Sequence, residues 1–86
     1  MSAKELEMNI LIEKIIGSNI RFLREKADLT QEQLAAKLQI KGCDITRSAI
    51  AKIEVGQRHI YPDEIILIKS ILGVSYDEIF NISKND

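Results

Sequence analysis

A chain of 86 residues, 45% hydrophobic and with a net charge of −1, has the length for one small domain and enough apolar content for a helical core. One cysteine makes no internal disulfide, the lone His59 leaves a metal site short of ligands, and no CxxC spacing points to zinc; neither metal nor cofactor is expected. No stretch approaches the roughly 18 apolar residues of a membrane span, and the N-terminus lacks the pattern of a secretory signal, so a cytoplasmic protein is expected.

In chain order, Ser2 with Glu5 reads as a capping box, and the segment MNILIEKII that follows is too apolar to be left in water. It is expected to pack on this domain or on a second copy. Gly17 is expected to interrupt any helix continued through it, which sets residues 1–15 apart as an apolar segment or arm. Ile16, Ile20, Leu23 and Ala27, spaced by three and four, predict the first clear helix. Thr30 with Gln33 forms a capping box, and Leu29 with Leu34 a hydrophobic staple, so a second helix starts at Gln31. It continues through Leu38, with Gln39 to Lys41 adding most of a turn before Gly42. Thr46 is the cap of a third helix, whose staple is Ile45 with Ile50 and whose terminator is Gly56.

Pro62 at the first position, Asp63 and Glu64 in the first turn and Gly73 after the end frame a fourth helix, Pro62 to Leu72. Ile65, Ile66, Leu67, Ile68, Ile71 and Leu72 make it apolar most of the way round, so Leu67 or Ile66, with the N-terminal apolar segment or the final helix, is expected to form a homodimer interface. Ser75 with Glu78 and Val74 with Ile79 start a short fifth helix through Phe80, and residues 81–86 form a frayed tail. No alternating stretch makes a strand, and the fold class is all-α.

Charge is unevenly spread. Residues 21–58 carry eight Lys or Arg against five acids, whereas residues 59–86 carry two Lys against five acids. The positive middle contains two helices joined by a connection, the second opening with Thr46, Arg47 and Ser48, which suggests a helix-turn-helix that presents its second helix to a DNA major groove. The runs IGSNIRFLREKADLTQEQLAAKL, TRSAIAKIEVGQR and ILGVSYDEIF resemble the Cro/C1-type helix-turn-helix family, also called the XRE family, over residues 16–80.

That resemblance implies a five-helix, lambda-repressor-like DNA-binding domain that acts as a dimer on a palindromic operator, commonly as a repressor. Arg47, Ser48, Ala51 and Lys52 are then the candidate readers of base edges, with Thr46 at the start of the reading helix. By the same resemblance Gln31 grips a backbone phosphate, Gln57 and Arg58 form a second phosphate-contacting loop, and Lys41 approaches the backbone from the connection. Arg24 corresponds to the ion-pair partner of Glu54, a structural pair. Gln39 stands where the family commonly has glycine, and the path from Gln31 to Arg47 is about five residues longer than the common pattern, more than one helical turn. Cys43 in that connection reads as a small turn residue, not a redox site. No glycine-rich phosphate loop, metal constellation or second histidine supports an enzyme. The rival reading is an antitoxin or other protein-binding module on the same fold.

Overall fold

The computed structural model describes residues 1–83; residues 84–86, the end of the expected tail, lie outside the described residues. The chain folds into α1 (Ala3–Lys26), α2 (Gln31–Ile40), α3 (Arg47–Glu54), α4 (Pro62–Leu72) and α5 (Tyr76–Phe80), with no strand among the described residues. The capping boxes of α2 and α5 form where the sequence puts them, whereas at α1 the Ser2 hydroxyl accepts the Glu5 N–H without the reciprocal backbone bond. Thr30 Oγ1 accepts the Gln33 N–H at 3.0 Å while the Gln33 side chain accepts the Thr30 N–H at 2.9 Å, and Ser75 with Glu78 repeats the exchange at α5. Gly73 ends α4 in the left-handed conformation, φ 66°.

The helices enclose one core. Ile20, Leu34, Leu38, Ile45, Ile50, Ile68 and Ile79 are its fully buried side chains, and Ile16, Leu23, Ala35 and Ile53 complete it. α1 packs on α3 and α5, and α2 packs on α3 and α4. Of the stripe predicted for the first helix, Ala27 is the exception, because it is the C-cap residue and stands exposed. Leu67 is half-buried against the core, whereas Ile66 is exposed.

Gly17 does not break α1, which runs 24 residues without interruption. The glycine is buried, and a Cβ built on it would lie 2.0 Å from the carbonyl oxygen of Ile53. Its function is close approach: the missing side chain lets α3 lie directly against the α1 backbone, and that packing offsets the intrinsic cost of glycine in a helix. The N-terminal turns therefore belong to the same rod as the core-facing turns. Ile12 reaches the core, but Leu6, Met8, Ile10 and Leu11 remain exposed. The loop after α3 braces this rod, since Gly56 lies against Lys14 and His59 Nδ1 contacts the Glu13 carboxylate.

At the other end, Asn19 Nδ2 donates to the carbonyls of Ile79 at 2.8 Å and Asn81 at 2.9 Å, tying the exit of α5 to α1.

Candidate nucleic-acid interface

The reading helix is aimed by its cap. Thr46 is extended (φ −96°, ψ 162°) and its hydroxyl accepts the Ala49 N–H at 3.1 Å, which fixes Arg47 as the first helical residue. Ile50 and Ile53 then turn inward, 1% and 3% exposed, against the core. At 3.6 residues per turn this leaves Arg47, Ser48, Ala51 and Lys52 along one outward face; Arg47, Ser48 and Lys52 are exposed and Ala51 is half-buried.

A four-residue bracket holds this helix from behind. Arg24 Nε and Nη2 donate to the two carboxylate oxygens of Glu54 at 2.7 and 3.0 Å, and Nη1 donates to the Leu29 carbonyl at 2.7 Å. Gln31 Nε2 donates to Glu54 Oε1 at 3.0 Å. The bracket thus joins the end of α1, the start of α2 and the end of α3. The hydrogen bond to Glu54 raises the Arg24 pKa, burial opposes it, and the Glu54 charge adds to the rise, and the two-pronged contact satisfies both carboxylate oxygens of Glu54.

In front of the bracket, Arg24, Thr30, Gln31, Glu32 and Arg47 line an open concavity of about 420 Å³. The first backbone N–H groups of α2 have no partner within the helix, and they sit at its positive end. Gln31 and Arg47 therefore meet at one place that suits an anion, though the Gln31 side chain already gives one N–H to Glu54. Gln57 is exposed beyond α3, its backbone N–H bonded to the Lys52 carbonyl at 2.8 Å.

Arg58 and Lys41 stand apart from that concavity. The Arg58 guanidinium donates to both Glu64 oxygens, at 3.0 and 3.1 Å, and to the His59 carbonyl at 2.9 Å, and it lies over the Tyr61 ring. It latches the loop to α4. Glu64 also accepts the Tyr61 N–H at 2.9 Å. Burial alone would push the Glu64 carboxyl up, but the hydrogen bonds from Arg58 and Tyr61 and the guanidinium charge outweigh it and hold the pKa below the ordinary value of a glutamate. Lys41 is the C-cap of α2 and lines, with Lys37, Ile40 and Ile71, a separate groove between α2 and α4.

The lengthened connection is held by a residue whose role the sequence reading did not assign. Gln39 Nε2 donates to the Ile45 carbonyl at 2.8 Å, spanning the turn from the last helical turn of α2 to the residue before the Thr46 cap. Gly42 takes φ 88°, and the Cys43 N–H bonds back to the Leu38 carbonyl at 2.9 Å. Burial and the nearby Glu64, Asp63 and Asp44 push the Cys43 thiol up, which disfavours the reactive thiolate. Among the described residues no group of three or more His, Cys, Asp or Glu could hold a metal ion, and no helix is long and apolar enough to cross a membrane.

A family model described as helix-turn-helix matches residues 20–79, from the middle of α1 into α5. No curated protein and no solved structure matches the chain. The match spans more than half of the chain and covers the helices of the bracket and the reading face: the chain belongs to the Cro/C1-type helix-turn-helix (XRE) family of DNA-binding proteins.

Proposed function

We propose that the protein is a transcriptional repressor of the cytoplasm, acting as a dimer on a palindromic operator with α3 of each copy in the major groove. The observation that carries this reading is the exposed first turn of α3 beside the start of α2, with Arg47 and Gln31 on one concavity and the Arg24–Glu54 pair fixed behind them. Arg47 reads a guanine edge through its two-pronged guanidinium, while Ser48, Ala51 and Lys52 meet the neighbouring bases. Gln31, Thr46 and Gln57 contact phosphates and set the register. Lys41 adds charge from the far end of α2, and Arg58 acts mainly through its latch on Glu64. Selection of bound duplexes from a random pool tests the proposal. Recovery of a two-fold-related sequence is expected, with binding that weakens as salt rises; enrichment of no sequence overturns it.

A second reading is an antitoxin or other protein-binding module. It is favoured by the groove of Lys37, Ile40, Lys41 and Ile71, where Ile40 is 85% exposed. Tight binding of a protein neighbour, with no duplex bound, would decide for it.

A further inference from the structure

The outer face of α1 carries an apolar seam that the domain does not use. Met8, Leu11 and Ile15 recur at spacings of three and four, with Lys4 before them and Ser18 after, the a and d positions of a heptad. Met8 and Leu11 are 55% and 53% exposed, Ile15 is half-buried, and Lys4 and Ser18 are exposed. On a helical wheel the centre of this seam lies about 150° from Gly17 and Arg24, the residues that face α3. Pairing along it leaves the reading helix uncovered.

Charges on and beside the seam are arranged with two-fold symmetry. Glu7 and Arg21 stand at equal distances along the helix from Lys14, and Lys4 and Glu25 are spaced almost the same way. All four are exposed, and the only ion pair among them within the chain is the surface contact between Arg21 and Glu25 at 3.6 Å. We infer that a second copy of this chain covers the seam, with the two α1 helices antiparallel about a two-fold axis near Lys14, so that Glu7 of each faces Arg21 of the other. Leu11 then packs on the partner's Ile15, and Met8 lies opposite the partner's small Ser18. A parallel pairing brings Glu7 to no basic residue. The one like-charge meeting, Lys14 with its own copy, is relieved because the Lys14 stem leans on Gly56. Such an interface is self-complementary, the same patch serving both copies.

The inference rests on the dimeric part of the proposed function and names its surface, a different one from Ile66. Sedimentation of the full chain tests it, with far-ultraviolet circular dichroism as the check on folding. The native chain is expected at dimer mass, and Leu11→Asp at monomer mass with its helical signal retained. Glu7→Arg and Arg21→Glu each weaken the dimer by about tenfold, and the two changes together restore it. A monomeric native chain overturns both the dimeric reading and this surface. A dimer indifferent to Leu11→Asp and broken by Ile66→Asp keeps the dimeric reading and overturns the seam. Failure of the paired charge exchange to restore the dimer overturns the antiparallel arrangement.

Discussion

Arg24→Ala leaves the Glu54 carboxylate, 4% exposed, buried without its two guanidinium bonds. We expect a loss of about 3–5 kcal/mol in urea unfolding, and a much smaller loss when Glu54→Leu accompanies Arg24→Met, because the cost lies in the orphaned charge. An unchanged Arg24→Ala midpoint would exclude the bracket. Arg47→Ala should behave in the opposite way: its side chain is exposed, so the unfolding midpoint stays put, while discrimination against a wrong base in a gel-shift titration falls by about 1–3 kcal/mol. At Glu64 the prediction is a pH dependence. Its folded pKa is depressed, so the stability it contributes is fully present above its unfolded value and is lost as pH falls through the lower folded value. Acid titration of the native chain should therefore show a stability slope, on the acid side of the ordinary glutamate range, that Glu64→Gln reduces. Arg24 and Glu54 were legible as a pair through family resemblance. The Arg58 latch was not, because a basic residue in a loop reads equally as a phosphate contact until a buried carboxylate is found within 3.0 Å.

Elements are where local signals spoke most clearly and where they also misled. The starts of α2, α3 and α5 were legible because a cap residue and its staple lie within a few positions of each other and need no tertiary partner. Gly17 was misread for the complementary reason. Helix propensity is local, whereas the value of a missing Cβ depends on Ile53, thirty-six positions away. This produces a test of sign. Gly17→Ala in an isolated helix would gain about 1 kcal/mol, but here the new carbon meets backbone and should cost about 1–3 kcal/mol in thermal unfolding. Gly42→Ala, where nothing lies within 4 Å, should lose only the roughly 1–2 kcal/mol of a left-handed residue. The role of Gln39 was equally hidden: the sequence marks a departure from glycine, but only the folded turn shows a strut to the Ile45 carbonyl.

Across the whole molecule, 39 Å in its longest dimension, α1 is the member that links the seam, α3, α5 and the bracket. It carries the seam at its N-terminal end, receives the loop at Glu13 and Lys14, accepts α3 at Gly17, ties α5 at Asn19 and anchors the bracket at Arg24. The apolar content of residues 8–16 called for cover from this domain or from a second copy, and Ile12 and Ile16 do reach the core; continuity through Gly17 decides how a partner on the remaining face would be coupled to the reading face. Because the rod has no joint, its screw geometry sets the phase between the two surfaces. One alanine inserted between Leu11 and Ile12 would leave the domain intact and rotate Met8 and Leu11 by about 100°, advancing them by about 1.5 Å. Duplex selection with that variant should yield altered half-site spacing or single half-sites, while seven inserted residues, about two full turns, should return the seam to its original azimuth and recover paired sites at a new separation. The uninterrupted helix would then work as a gauge, its residue count converting directly into the distance between the two halves of the operator.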